Sequence, residues 1–399
     1  MNKSCIFIGS IYPKNVLDDI LCEGTHADFA ANIFQTGIIE GLHKLYEDVR
    51  IITSPVTSPF PKSHKLIYSK QKSEMEYSEK RLSVSFTGFI NLPFIKLVSE
   101  YFRVRSTLRN KLKNGDTIYV YALHSPFLLA VYSLRKKISK VCVIVPDLPD
   151  YMSHNNGMIR RMLKSINKYL INMCLKSFQY HVLFSSFMQS ELPLKGKEWI
   201  VVEGMYADLM LPKCKKEDKK TILYTGIISS RYGVFDLIEA FYRIVGDEYQ
   251  LWLCGSCSDE IEKLKTYIKK DYRIKYFGML QKQDVRTLQA RATLLVNPRH
   301  SYEDFTKFSF PSKTMEYLAS GTPTLMCKLP AIPKEYNEYL FFFEDESIEG
   351  YSNRIIEICN MDKKTLCILG EKARNFILEE KNCYYQAKRI YDMVECTRL

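Results

Sequence analysis

Short, continuous apolar runs alternate with helical patterns along the chain, and this alternation restricts the fold more than any other feature. The predicted strands span 5–10, 48–54, 117–122, 141–146, 180–186, 221–226, 249–255, 274–279, 293–298, 322–327 and 340–344. Helical patterns such as 26–45, 234–245 and 259–270 lie between them. Continuous apolar strands separated by helices form parallel sheets that are covered on both faces. The sequence therefore predicts an α/β fold with doubly wound sheets.

The length of 399 residues is sufficient for two domains. A lysine-rich stretch at 211–220 is predicted to be the linker between two halves of similar size. A long polar segment, 58–86, is interpreted as an insertion or mobile loop over the strand ends of the first half. Ligands of such sheets bind outside the carboxyl ends of the strands.

The formal net charge of +12 favours anionic partners. The segment 158–178 has a helical apolar rhythm on one face and arginine and lysine on the other. Two interpretations stay open: a helix that lies on an anionic membrane surface, and a helix packed on a sheet with a solvated outer face. No nucleic-acid-binding module is recognisable, so we expect no nucleic-acid partner.

No apolar stretch approaches the roughly 18 residues of a membrane span. The first apolar run is too short for a confident signal peptide. We therefore expect a cytoplasmic protein, with the inner face of the membrane as its alternative location. The twelve cysteines lack framework spacing, which indicates reduced thiols. Cys254 and Cys257 form a C-x-x-C, but no second pair accompanies them, so a strand-end turn is favoured over a redox or metal site.

The stretch "FSFPSKTMEYLASGTPTL" (308–325) predicts a turn, a helix that opens at Pro311, a glycine stop at Gly321 and a strand. Free amides at a helix start form an anion site. Lys313 in the first turn opposes the helix dipole, which indicates a bound phosphate unless the side chain points to solvent. Glu316 either pairs with Lys313 at i, i+3 or accepts hydrogen bonds from sugar hydroxyls.

A second phosphate candidate is "LYTGIISSRYGVFDLIEAF" (223–241). A strand ends at Gly226, a loop carries Arg231, and a helix follows Gly233. The glycines permit a tight turn and close backbone approach, and an arginine can pair bidentately with a diphosphate. Neither a P-loop nor a dinucleotide-binding fingerprint is present.

These two segments, with "LWLCGSC" and "RIKYFGML" (273–280), resemble the donor-binding domain of family-four retaining glycosyltransferases of the GT-B fold. The variant "FPSK…EYLASG" is similar to bacterial enzymes of capsule, exopolysaccharide or O-antigen assembly. The resemblance implies two Rossmann-like domains that face each other across a cleft. Residues 1–204 would bind the acceptor, residues 205–383 the donor, and a helix at about 384–399 would pack back on the first domain.

The family implies transfer of a sugar from a nucleotide-sugar donor, UDP- or GDP-linked, to a carbohydrate or lipid-linked acceptor with retention. No metal or other cofactor is obligatory. The resemblance implies that Gly226 precedes the diphosphate loop and that Gly278 and Leu280 contact the base of the nucleotide. It implies that Ser309, Ser312 and Lys313 lie in the turn that faces the sugar and phosphates, and that Glu316 binds the ribose. Arg231 and Lys313 would stabilise the leaving diphosphate.

Asp147 ends a strand in the first half, where it either faces the cleft as a catalytic group or caps a turn. His124 also ends a strand and is interpreted as a turn residue or an acid–base group. The sequence departs from the family where a glutamate is often found, at Phe308, and Glu303 is a candidate substitute for that carboxylate.

Two further departures affect the expected set of site residues. Ile227 and Tyr232 stand at the two positions where the family usually has basic residues, and Arg231 is one residue away. Pro146 stands where the family often has a histidine. Two alternatives to a transferase follow: a GT-B sugar-nucleotide epimerase and a non-catalytic GT-B scaffold.

Overall fold

A computed structural model describes residues 3–12, 29–77, 80–148, 158–207, 212, 214–302 and 304–396. The chain divides into two compact units. The first unit contains Met1–Ala207 together with Cys383–Leu399, and the second contains Asp208–Asn382. The second unit is thus inserted between two segments of the first.

The first unit is built on an eight-stranded sheet with the order β10-β9-β8-β7-β1-β2-β5-β4 and a separate pair, β3-β6. The strands are β1 (Ser4–Gly9), β2 (Asp48–Thr53), β3 (Ile67–Tyr68), β4 (Gln71–Tyr77), β5 (Lys80–Phe86), β6 (Phe89–Ile90), β7 (Thr117–Tyr121), β8 (Lys140–Val145), β9 (Tyr180–Leu183) and β10 (Glu198–Val201). All neighbours in the large sheet are parallel except β4 and β5.

Six α-helices lie in the described part of the first unit. They are α1 (Phe29–Leu45), α2 (Ile95–Lys111), α3 (Ser125–Leu134), α4 (Met158–Ser177), α5 (Met188–Glu191) and, after the second unit, a C-terminal helix at Cys383–Cys396. Helices α2 and α4 both pack against α3. The inner strands β7 and β8 are buried along almost their whole length because helices cover the sheet.

The second unit has a six-stranded, fully parallel sheet with the order β13-β12-β11-β14-β15-β16. Its strands are β11 (Lys220–Thr225), β12 (Tyr249–Cys254), β13 (Ile274–Tyr276), β14 (Leu294–Asn297), β15 (Thr324–Cys327) and β16 (Phe341–Phe343). Its helices are α6 (Val234–Tyr242), α7 (Ile261–Lys270), α8 (Lys282–Arg291), α9 (Ser312–Ala319), α10 (Ile348–Cys359) and α11 (Lys363–Glu380). The C-terminal helix of the first unit is therefore α12 (Cys383–Cys396).

Helix α12 is fixed to the first unit by close packing and by a buried carboxylate. A side chain on Gly41 in α1 would collide with Ala387, so the two helices approach closely. Glu395 accepts hydrogen bonds from Tyr46 Oη (2.8 Å), Thr117 Oγ1 (2.6 Å) and Lys140 Nζ (2.8 Å). Burial raises the pKa of Glu395, but these donors outweigh it and hold the pKa below its usual value.

The predicted α/β architecture with two doubly wound sheets is confirmed, and each predicted strand is present with shifts of a few residues at its ends. The interpretation of 58–86 as a loop was wrong, because β4 and β5 extend the large sheet there. The proposed linker also needs correction. Lys216 Nζ donates to Ala292 O (2.8 Å) and Thr322 Oγ1 (2.5 Å), so its described part is bound into the second unit.

Candidate functional site

Three glycine turns follow β11, β12 and β13 at the carboxyl edge of the second sheet. Gly226, Gly255 and Gly278 have φ values of 145°, 135° and 67°, which favour glycine. The turns are joined laterally, since Gly226 N donates to Cys254 O (2.7 Å) and Gly255 N donates to Gly278 O (2.8 Å). A side chain on Gly255 would overlap the Gly226 carbonyl. The edge is therefore built from half-buried glycine backbone without side chains, which permits close approach of a ligand.

Helix α9 begins beside these turns and is held there by Tyr317. The helix starts at Ser312 after Pro311, which has φ −71°, and no side chain caps its first amides. The buried Tyr317 Oη accepts from Thr225 N (2.8 Å), which fastens α9 to the end of β11. The first turn of α9 therefore lies next to Gly226, with amides available to an anion.

Lys313 is the cation at the centre of this edge. A Cβ added to Gly226 would overlap the Lys313 ammonium, which also lies 5.4 Å from the centre of the Tyr224 ring. Burial lowers the pKa of Lys313 to about 8; Glu316 raises it and the positive charge of Arg299 lowers it further. Within the described residues, Lys313 Nζ has no hydrogen-bond or ion-pair partner.

Glu316 lies one turn further along α9 and is exposed. Desolvation by the surrounding protein raises the pKa of its carboxyl, and Lys313, Lys282 and Arg286 act in the opposite direction. An ion pair with Lys313, one of the two interpretations of the i, i+3 spacing, is absent. Among the described residues this carboxylate has no hydrogen-bond partner either. Its four lone-pair positions are therefore available to a ligand.

Arg299 and its neighbour His300 also lie near this edge and were not predicted from the sequence. Both are buried directly after β14, and the Arg299 charge acts on Lys313. His300 Nε2 lies 2.8 Å from Asp236 Oδ2 in the first turn of α6, and its ring stacks on Tyr302 with centroids 4.9 Å apart. The sequence signal that could have indicated Arg299 is a cation that follows a predicted buried strand, at the carboxyl edge of the sheet.

Arg231 lies in a 3₁₀ helix, Ser230–Tyr232, and its side chain is exposed. The helix is anchored through Ser230, whose N donates to Glu260 Oε2 (2.7 Å). After it, Gly233 has φ 70°, and a side chain there would overlap the Pro298 carbonyl. The described contacts thus place the Arg231 loop at the end of β11, beside the end of β14.

The remaining predicted donor residues occupy the same edge or its flanks. Leu280 is 37% exposed after the Gly278 turn, Ser312 is exposed at the start of α9, and Ser309 is half-buried just before it. Phe308, at the position of the expected glutamate, is half-buried. Glu303 lies outside the described residues.

In the first unit, Asp147 follows β8 and is exposed. His124 follows β7 in the same sheet, and its Nε2 lies 3.0 Å from Oε2 of the buried Glu100. Between β7 and His124, Ala122 has a left-handed φ of 69°, a conformation that non-glycine residues adopt at a cost. His124 makes no side-chain cap for α3. When Glu100 accepts the Nε2 proton, Nδ1 is left to accept a hydrogen bond from a hydroxyl group.

Cys254 and Cys257 are free, and burial raises the pKa of both thiols. A redox-active pair requires a depressed thiol pKa, so this geometry supports the structural turn. No group of three or more metal-ligating side chains occurs in the part of the chain that the structure describes. None of the helices in that part is long and apolar enough to cross a membrane.

The site of the second unit thus combines open backbone, a desolvated cation and an unpaired carboxylate. Cations and helix amides at a glycine turn bind phosphate groups, and a carboxylate binds hydroxyl groups. Together these groups fit a ligand that carries phosphates and a hydroxylated ring within one helical turn of each other.

Part of the second unit is similar to a family of known proteins. Residues 219–361 match the family described as "Glycosyl transferases group 1". Among curated protein sequences, none is significantly similar to this chain. The fold is similar over both units to sucrose-phosphate synthase from Thermosynechococcus elongatus, with a TM-score of 0.64, 16% identity and coverage of 98% of each chain.

Two further solved structures show the same fold. HepE from Anabaena, in complex with UDP, has a TM-score of 0.63 and 13% identity, with coverage of 97% of this chain and 98% of that one. The lipopolysaccharide outer core galactosyltransferase WaaB, in its apo form, has a TM-score of 0.60 and 14% identity, with coverage of 98% of each chain. The predicted GT-B fold is confirmed.

The chain thus has the GT-B fold, and part of its second unit, residues 219–361, is similar to the group 1 glycosyltransferases.

Proposed function

We propose that the chain transfers a sugar, with retention, from a UDP- or GDP-sugar to a carbohydrate or lipid-linked acceptor in the assembly of a bacterial surface polysaccharide. The observation that carries the donor site is Lys313: a desolvated, unpaired ammonium placed on the backbone of Gly226 and close to a second buried cation, Arg299. The charge of Arg299 lowers the pKa of Lys313, and an anionic diphosphate bound at Lys313 would offset that repulsion. HepE, solved with UDP and UDP-glucose, supports a uridine donor.

The other predicted donor residues follow from their positions around Lys313. In this proposal the amides of α9 from Ser312 onward bind the donor phosphates, and the Gly278–Leu280 turn contacts the base. Glu316 binds the ribose hydroxyls. Ser309 borders the sugar, and the neighbouring Phe308 leaves that pocket without the usual carboxylate.

The proposed chemistry is charge stabilisation rather than attack by a protein nucleophile. As the bond from the anomeric carbon to the diphosphate breaks, negative charge develops on the leaving oxygen. Lys313 and Arg231 would stabilise that charge. The loss of a single preorganised donor of this kind typically costs about 2.7–4 kcal/mol of transition-state stabilisation. Asp147 is proposed to act in the first unit, on the acceptor side.

A panel of nucleotide sugars tests this proposal directly. A donor that binds the folded state raises its apparent stability by mass action, so UDP- or GDP-sugars should raise the thermal unfolding temperature. Product analysis with the stabilising donor separates a transferase from the alternatives. A transferase gives a glycosylated acceptor plus nucleoside diphosphate, whereas an epimerase changes the configuration of the sugar and releases nucleotide without any acceptor. If no nucleotide sugar binds, the scaffold alternative suggested by Phe308 replaces the proposal.

The pH dependence of UDP binding should report the titration of Lys313. With a pKa of about 8, this lysine is charged at neutral pH and loses its proton as the pH rises further. Because a diphosphate favours the charged form, UDP affinity should be constant near pH 7 and fall above pH 8, by at most about tenfold per pH unit for a single linked proton. Calorimetry between pH 7 and 10 measures this.

The matched variant for that experiment is Lys313→Arg, which keeps the charge throughout this pH range. Its UDP affinity should be weaker but independent of pH. A wild-type affinity that also stays constant up to pH 10 would show that Lys313 does not bind the phosphates.

We further propose that helix α4 contacts an anionic membrane surface. Its second half packs inward through Cys174 and Leu175, which are fully buried, but Met162, Ile166 and Tyr169 are 65%, 46% and 70% exposed. A helix packed only on the protein would bury this stripe. Phe94, just before α2, and Phe102, on α2, are also 71% and 61% exposed. Apolar side chains beside lysines and arginines bind the interface of anionic bilayers.

Replacing Met162 and Ile166 by serine should lower the binding to phosphatidylglycerol-containing vesicles several-fold, because each residue contributes apolar area at the interface. Co-sedimentation with phosphatidylcholine vesicles, with and without phosphatidylglycerol, measures this. The matched control replaces Val245 and Ile368, exposed apolar residues of the second unit, by serine. Equal loss in both double variants, or no vesicle binding by the wild type, would contradict the proposed contact.

A further inference from the structure

A positively charged cavity lies in the first unit and is lined by residues that have no role in the proposed function. Its volume is about 600 Å³, and it lies between the end of α2 and the 3₁₀ helix Arg135–Lys137. Four of its nine lining residues are cationic and none is acidic: Arg109, Lys113, Lys136 and Lys137 are the cations. The lining segments immediately precede β7 and β8, so the cavity is at the amino edge of the sheet, opposite the edge where His124 and Asp147 lie.

The cations outnumber the negative charges available to them. Lys113 Nζ lies 2.8 Å from Asp48 Oδ2, and that carboxylate also lies 3.1 Å from Arg50 Nε. In the part of the chain that the structure describes, Arg109, Lys136 and Lys137 have no ion-pair or hydrogen-bond partner. The carboxyl ends of two helices contribute only about −0.5 charge each. About two positive charges therefore stay uncompensated around one cavity.

Further positive charges act near the end of α2, which strengthens the local potential. Burial lowers the pKa of Lys111, and the charges of Arg50, Lys72 and Lys70 lower it further. Nearby carboxylates are already engaged: Asp116 pairs with Arg50, and Glu395 pairs with Lys140. A concave surface with one sign of charge concentrates ions of the opposite sign.

We propose that this α2–α3 cavity binds a phosphate or diphosphate group. A compact polyanion accepts hydrogen bonds from several ammonium and guanidinium groups at once, which matches four cations around one concavity. The apolar side chains of Leu112, Leu134 and Ile138 line the rest of the cavity and offer contact to the carbon atoms of a phosphate ester. The phosphate belongs either to the headgroup of an anionic lipid or to a soluble phosphorylated molecule. The site is independent of the proposed donor site, with which it shares no residue.

The test uses inorganic pyrophosphate and the full-length double variant Lys136→Gln/Lys137→Gln. Both lysines are exposed on the 3₁₀ helix, so the substitutions leave the core intact. Titration calorimetry at constant ionic strength, with UDP present at saturation, should show pyrophosphate binding to the wild type and at least a tenfold weaker affinity in the variant. The control Lys269→Gln/Lys270→Gln removes the same charge from exposed positions of α7 and should bind as the wild type does.

A parallel arm with vesicles identifies the source of the phosphate. Loss of binding to phosphatidylglycerol vesicles in the first double variant, with pyrophosphate affinity unaffected, assigns the site to lipid headgroups. Loss of pyrophosphate binding alone assigns it to soluble phosphates, and loss of both shows that either is accepted. Equal behaviour of the two double variants in both arms overturns the proposal. If UDP does not occupy the Lys313 site, pyrophosphate can bind there equally in both double variants. The difference between the two variants therefore reports on the cavity even if the donor proposal fails.

Discussion

Alanine at Gly226 should abolish donor use, with a loss of about 100-fold or more in kcat/KM, the range seen when one preorganised charge-stabilising group is lost. Two effects act together. The backbone at φ 145° is accessible almost only to glycine, which costs on the order of 1–3 kcal/mol for another residue. In addition, the new methyl group would occupy the position of the Lys313 ammonium and force it away from the proposed diphosphate.

Donor hydrolysis and UDP calorimetry measure this effect, and thermal unfolding separates it from misfolding. The matched control is Gly196→Ala, because Gly196 has φ 75° and open space around its Cα. That substitution introduces backbone strain without a collision, so it should lower the unfolding temperature and leave donor use intact. Wild-type activity in folded Gly226→Ala protein would remove Lys313 and Gly226 from the proposed site.

Glu316→Gln should weaken UDP-sugar binding by about 10- to 100-fold, since hydrogen bonds to a charged group are worth about 1.5–3 kcal/mol and the amide offers fewer acceptor positions. The same change should leave the protein as stable as before or slightly more stable at neutral pH. The pKa of Glu316 is raised in the folded state, so its ionised form favours unfolding at pH values above that pKa.

A gain in stability combined with a loss of binding is typical of a functional residue that the fold accommodates at a cost. Calorimetry with the nucleotide sugar and thermal unfolding at pH 7 measure the two quantities. Glu379→Gln on α11 is the control, because its exposed carboxylate lies on another element. Unchanged affinity in Glu316→Gln would assign the ribose to a different residue.

The parallel sheets could be predicted from the sequence because their strands are continuous apolar runs, a signal that buried strands carry directly. The strands within 58–86 were not predicted because this segment lacks that apolar signal. Strand β4, "QKSEMEY", lies at the edge of its sheet, where polar side chains are tolerated and the apolar signal is missing.

The donor site could be predicted only in part. Lys313 and Glu316 carry a local signal, since a cation at a helix start and a carboxylate one turn later are visible in the sequence. The neighbours of Lys313 are far away in the chain: Gly226 and Arg299 follow different strands, and only the order of the sheet brings them to one edge. The pairing of His124 with Glu100 was invisible for a related reason, because Glu100 lies inside an amphipathic helix and resembles an ordinary surface residue.

The return of α12 to the first unit determines the order in which the chain can mature. During synthesis the second unit has all of its residues, 208–382, before the first unit has received Glu395 and the rest of its last helix. Domains generally fold as units while the chain emerges. The first unit can therefore be completed only after the second, because Glu395, the shared partner of Tyr46, Thr117 and Lys140, is synthesised after residues 208–382.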